Sequence, residues 1–374
     1  MKRNARIAAI ALAGCLSLVW LTGCSQQATG GTPSSSAPES SDAVQEAPPS
    51  GEVTTIVFST HNSETDIQIT EIFKPYFEKL EELSGGTIQF EMHYNAELVG
   101  PADALEAVKA GVVDAAHVRT VDLGFEYDSI VEASYPTNNC NRMSRVYNEL
   151  YDKYPEMQAD YEGVQPLLLY TISHAYLTTT GDEVRTPDDL KGKMMIVSNT
   201  LQGKMMEALG ATPVSCPPTE FYTTLEKGVA DGSPAPVTSM MISSSWADVC
   251  TYVYDISTTV TTGCVVLNED VYNKLPQACK DYIESTDIRY EWSDKIDQLI
   301  YEHDISGREV LKSDYGVTFA EPTEEELAQW TEALSGVLPA YAAEMDAKGE
   351  PGSDFLADYM ALTEKYAAPE YQWE

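Results

Sequence analysis

Residues 106–115 read EAVKAGVVDA and residues 223–232 read TTLEKGVADG. Each copy is a helix end, a glycine, a valine and, three residues past the glycine, an aspartate. A glycine just beyond the last periodic residue closes a helix in the left-handed conformation, and the apolar residues behind it enter a buried strand. A chain that writes this turn twice builds the same helix-to-strand junction in two places. Asp114 and Asp231 then stand at the heads of the two strands, where a turn or capping role is expected.

The flanking residues repeat the same order. TTIVFST (54–60) is rich in β-branched residues and predicts a strand. Ile69, Ile72, Phe73, Phe77, Leu80 and Leu83 recur at helical spacing until Gly85-Gly86. TIQFEMHY alternates as a strand, ADALEAVKAG is a helix closed by Gly111, and VVDAAHV is a third strand. The pattern returns as MMIV (194–197), the helix LQGKMMEALG, the short strand TPVSC, the helix TEFYTTLEKG and the strand VADGSPAP. Strands alternating with helices imply parallel sheets with helices on their faces, here in two lobes of an α/β chain. Residues 273–316 form a long amphipathic stretch with an expected break near Asp304 to Gly307, and YGVTFAEP follows as a strand. Thr323 and Glu326 have capping-box spacing, and Trp330, Leu334 and Tyr341 are read as packing residues.

The first 23 residues carry Lys2, Arg3 and Arg6 ahead of an apolar run from Ile7 to Leu21, the pattern of a secretory leader. Leu21-Thr22-Gly23-Cys24 resembles the bacterial lipobox, so Cys24 is the expected lipidation site. Residues 24–52, rich in Ser, Pro, Gly and Ala, are expected to be a disordered tether that holds the folded body beside a membrane. Removing the leader leaves 20 basic residues against 59 acidic ones, a formal charge of −39, which disfavours nucleic acid. Cys140, Cys216, Cys250, Cys264 and Cys279 remain as an odd set without CxxC or Cys/His clustering, so no metal or other cofactor is expected.

SGGTIQFEMHYNAELVG, LEAVKAGVVDAAHV, TPDDLKGKMMIVSNTLQGKMMEALGATPV, FYTTLEKGVADGSPAP and DVYNKLPQ, in that order over residues 54–320, resemble the solute-binding proteins of TRAP transporters, the DctP family. The resemblance implies a periplasmic-binding-protein-like α/β fold of two lobes. Each lobe would be a sheet flanked by helices, with the ligand cleft between them. Lobe I is expected over 53–172 plus 260–300, and lobe II over 173–259 plus 301–374. It also implies an extracytoplasmic monomer that delivers a small molecule to a sodium-coupled TRAP-type permease. Hinge crossings are expected near 170–176 and 258–264 and along the helix after Pro276.

The chain departs from the family at its signature contact. Relatives carry an arginine in the strand after DLKG, suited to a bidentate grip on a carboxylate; here that position is Ile196. Where relatives read DGQENP, this chain reads Asp231-Gly232-Ser233-Pro234-Ala235-Pro236, and a second basic position in the preceding strand falls to His174 or Tyr176. The ligand is therefore expected either to lack a simple carboxylate or to meet it elsewhere. Arg119, after the strand VVDAAHV, is the cation placed where a ligand would lie. The same strand-end position nominates His61, Asn62 and His117, and the family's contact asparagine maps to Asn199. Tyr222, Met240, Met241 and Trp246 could supply an apolar wall or serve as ordinary core.

The sequence lacks GxSxG, HExxH and a phosphate-binding glycine loop, so an enzyme is not expected, although paired carboxylates of a glycosidase type are compatible with the composition. A cell-surface ligand sensor would use the same cleft, whereas an adhesin would need repeats or sandwich patterns that are absent.

Overall fold

The computed structural model describes residues 53–133, 140–217, 220–237, 241 and 245–373. The leader, Cys24, the tether and Met240 lie outside the described residues. Two blocks of three parallel strands repeat one order. In the first, β1 (Thr54–Ser59) lies between β2 (Ile88–His93) and β3 (Ala115–Val118). In the second, β5 (Met194–Ile196) lies between β6 (Thr212–Val214) and β7 (Gly232–Pro236).

The two copies of the helix–Gly–Val–x–Asp phrase occupy equivalent places, as the repeat predicted. Gly111 (φ 69°) ends α2 (Ala104–Lys109) and Gly228 (φ 66°) ends α7 (Phe221–Glu226), each leading into the inner strand of its block. Asp114 accepts a hydrogen bond from Val57 N at 2.8 Å, and Asp231 accepts one from Met194 N at 2.7 Å. Each aspartate also donates its own amide to the same residue's carbonyl, Val57 O or Met194 O. The aspartates extend the parallel ladder by one rung before the inner strand begins, a structural task.

The blocks do not form separate sheets. β4 (Val164–Thr179) and β8 (Tyr252–Asn268) pair antiparallel along most of their length, giving one mixed sheet in the order β2-β1-β3-β8-β4-β7-β5-β6, with β9 (Thr318–Ala320) on β8. Their register shifts between Ile172 and Ala175, and again at Tyr176 and Leu177, which bends the pair between the two blocks.

Helices cover both faces. On one side, α1 (Lys74–Leu83), α9 (Gln277–Glu284) and α10 (Thr286–Val310) pack on Phe58, Phe73, Tyr76 and Phe77. On the other, a single core links α3 (Glu126–Glu132), α4 (Met143–Lys153) and α5 (Pro155–Ala159) of the first block to α6 (Thr200–Ala208) of the second. The C-terminal α11 (Glu324–Leu334), α12 (Val337–Asp346) and α13 (Gly352–Ala367) bring Trp330, Leu334 and Tyr341 into that same core, and the Thr323–Glu326 capping box forms.

The expected break at Asp304–Gly307 is absent. α10 runs through it for 25 residues, about 37 Å, and Gly307 is buried inside it. The breaks fall earlier. α8 (Glu269–Lys274) ends before Pro276, which cannot continue an i→i−4 ladder, and Ser285 restarts the chain by capping Ile288 N. An i,i+4 ion pair, Arg308 Nε to Asp304 Oδ2 at 3.1 Å, spans the glycine and holds that turn helical.

Candidate functional site

Two walls form at the strand ends. The first is polar and gathers His61, Asn62, His117 and Arg119, as their strand-end positions predicted. β1 delivers Thr60, His61 and Asn62; β3 delivers His117 and Arg119. The His61 and His117 rings stack with centroids 4.5 Å apart. His117 is embedded in a chain of hydrogen bonds: Thr60 Oγ1 at 3.2 Å from Nδ1, Tyr170 Oη at 2.6 Å from Nε2, and Tyr170 donating on to Gln68 Oε1 at 2.9 Å. Burial holds His117 well below the usual imidazole range, and burial aided by the Arg119 charge holds His61 down to about 4.

Arg119 is the cation of this wall. Its Nε lies 3.1 Å from Asp122 Oδ2 in an ion pair. Asp122 is its only partner among the described residues. Burial raises the Asp122 carboxyl above its usual range while Arg119 opposes the rise. Ser59 Oγ and His61 Nδ1 are buried without partners among the described residues. Buried polar groups are ordinarily satisfied, so such a cluster is a place prepared for something else.

The second wall is apolar. Ile196, Ala235, Met241 and Trp246 are all at most 1 % exposed and pack together with Phe221, while Tyr222 and Tyr176 sit at the cluster's edge. Prolines at Pro234 and Pro236 are unusual in an interior strand. They fit because the pairing of β7 with β5 stops at Gly232, and the Ser233 hydroxyl, 3.2 Å from Ile196 O, supplies a donor that a proline nitrogen cannot.

Asn199 has its amide engaged. It caps α6 by accepting from Gln202 N at 2.8 Å and donates to Glu132 Oε2 at 2.6 Å. Glu132 also bonds Thr262, which accepts from Thr120 at 2.6 Å. Burial pushes the Glu132 carboxyl well above its usual range, with Asp128 and Asp122 contributing. This chain of side chains ties α3 and β3 of the first block to α6 of the second.

His174 is also engaged, with Nδ1 2.6 Å from Ser257 Oγ and Nε2 3.0 Å from Cys140 O. Tyr176 donates to Asp304 Oδ2 at 3.3 Å and lies under Arg308, 4.3 Å from its ring centre. Sequence reasoning missed Asp122, Glu132 and Arg308. The i,i+4 spacing of Asp304 and Arg308 was the signal available for the last. Asp122 stands three residues after Arg119, the spacing of their ion pair, whereas nothing local sets Glu132 apart.

No disulfide joins the described cysteines, and among the described residues no helix is long and apolar enough to cross a membrane.

Comparison with known proteins agrees with the geometry. Residues 58–344 match the family described as bacterial extracellular solute-binding protein, family 7, or DctP. The C4-dicarboxylate-binding protein DctB of Bacillus subtilis is 24% identical over 270 residues, 70% of this chain and 74% of DctB. The C4-dicarboxylate-binding periplasmic protein DctP of Rhodobacter capsulatus is 24% identical over 277 residues, covering 73% and 82%. Among solved structures, a marine metagenome TRAP solute-binding protein specific for aromatic acid ligands, in complex with 3-hydroxybenzoate, superposes with a TM-score of 0.76 at 21% identity, covering 84% of this chain and 99% of its own. A TRAP solute-binding protein of Rhodoferax ferrireducens with benzoate superposes with a TM-score of 0.75 at 23% identity, with the same coverage. These structural likenesses establish the two-lobed α/β fold.

Proposed function

This chain belongs to family 7 of the bacterial extracellular solute-binding proteins, and from that premise we propose that it captures a small organic acid with one carboxylate on an apolar or aromatic body. The observation that carries this reading is Arg119, a largely buried guanidinium with one counter-ion, placed beside imidazoles whose burial disfavours their charged forms. A buried carboxylate without a charged partner costs several kcal/mol, and Arg119 offers that partner. Asp122 keeps the guanidinium from being an uncompensated charge when the site is empty. Where relatives carry the family arginine, this chain has Ile196 buried in a cluster with Ala235, Met241 and Trp246, so the second wall supplies no cation. A second carboxylate would be driven against apolar carbon there.

The relatives support an organic acid in general, and the solved neighbours support a ring: 3-hydroxybenzoate in one and benzoate in another. Capture would bring the two blocks together by bending β4 and β8 where their register shifts. The solute would then pass to a sodium-coupled TRAP-type permease, the protein being an extracytoplasmic monomer held to the membrane through a lipid on Cys24. The proposed division of the body is 53–172 plus 260–300 against 173–259 plus 301–374. The chemistry is binding without turnover.

A thermal-shift panel that pairs each acid with its amide tests this. A ligand at a hundredfold excess over Kd adds about 2.7 kcal/mol to the native state. Monocarboxylates should raise the melting temperature and their amides should not; amides that shift it as far as the acids would overturn the assignment of Arg119.

A further inference from the structure

Behind the bend in β4 lies a cavity of about 280 Å³, walled by that strand and by α10 and lined by His174, Tyr176, Asp297, Tyr301, Asp304 and Arg308, with Ile300 and Ile305 among its apolar members. Its volume is close to the lower end for small-molecule sites.

Nearly every polar group around it is already used. His174 is consumed at both nitrogens. Both Asp297 oxygens accept from Ser144 N at 3.1 Å. Arg308 is gripped from two sides, with Nη1 and Nη2 on Asp255 at 2.6 and 2.9 Å and Nε on Asp304 Oδ2 at 3.1 Å. Tyr176 donates to the same Oδ2.

Among the buried carboxylate oxygens lining it one is left over. Asp304 is 7 % exposed, and its Oδ1 is buried with no partner among the described residues. An unmet carboxylate oxygen calls for a donor, and two carboxylates against one guanidinium leave the cluster short of positive charge. We propose that this cavity, which shares Tyr176 with the edge of the apolar wall, is a second binding site for a small organic cation whose N–H groups meet Asp304 Oδ1 and whose flat or aliphatic body lies along Tyr301, Ile300 and Ile305.

The probe is benzamidine, titrated calorimetrically into the purified full chain. One saturable site is expected, at least tenfold weaker in Asp304→Asn and unchanged within twofold in Arg119→Ala. Saturating benzoate should not displace it. Ile305→Trp narrows the cavity from a half-exposed position and should weaken binding to the same degree. It decides the matter alone should Asp304→Asn fail to give a cooperative melt. Absence of saturable binding, equal affinity in both cavity variants, or loss of binding in Arg119→Ala would overturn the proposal.

Discussion

The two helix-to-strand turns share a backbone and part company immediately after it. Both use a left-handed glycine and an aspartate that reaches back to the central strand of its block, with matching distances of 2.8 and 2.7 Å. Three and five residues past the aspartate, the first copy carries His117 and Arg119, and the second carries Pro234 and Pro236. One end of the sheet becomes a polar, cationic wall and the other an apolar one. The turn fixes where a side chain will stand. The residues just beyond it set what that side chain can recognise, and the two requirements are separable within one chain.

Moving the cation across should be the most severe change. Ile196→Arg places an uncompensated charge at a position that is 0 % exposed and should destabilise the fold by about 4 kcal/mol, read by urea unfolding. A variant that folds normally would mean the second wall is open to water and the contrast is shallower than described.

The first strand residue after each aspartate gives the next test. A Cβ on Gly232 would meet Thr178 O at 2.1 Å, so Gly232→Ala should cost about 3 kcal/mol. Its counterpart Ala115 lies in ordinary buried packing, and Ala115→Gly should cost about 1 kcal/mol. Equal costs would show that the second inner strand is not held as tightly against β4 as its distances state.

Acid should weaken the polar end through His61. His61 has a folded pKa lowered to about 4, below the unfolded value of about 6.5. The unfolded chain therefore binds the extra proton between those limits, and His61 contributes a loss of stability as pH falls from about 6.5 to about 4. Replacing it by glutamine should remove up to about 1.4 kcal/mol per pH unit of that slope. An unchanged slope would place the ring in water.

The smallest effect should be a matched pair. Asp114→Asn and Asp231→Asn each weaken one charge-assisted acceptor to a backbone amide and should each cost about 1 kcal/mol. A difference well beyond that would break the equivalence of the two turns.

The repeat, the capping glycines, the task of both aspartates and the Thr323 capping box were legible because each depends on residues within a few positions of one another. The gathering of His61, Asn62, His117 and Arg119 was legible because parallel strands end together. The joining of the two blocks was not. β8 runs DISTTVTTGCVV through a region without turn signals, and only its long-range pairing with β4 shows that the two sheets are one. The expected break in α10 failed because Gly307 was weighed as a breaker without its flanking Asp304–Arg308 pair. Asn199 could be placed by spacing, but its engagement by Glu132, 67 residues away, lies in the tertiary structure.

A calorimetric comparison of benzoate, benzamide and succinate on the same preparation tests most directly the pairing of one cation with an apolar second block. Benzoate should bind at least a hundredfold more tightly than either of the others, and Arg119→Ala should abolish the difference. Succinate binding as tightly as benzoate, or benzamide matching it, would contradict the account.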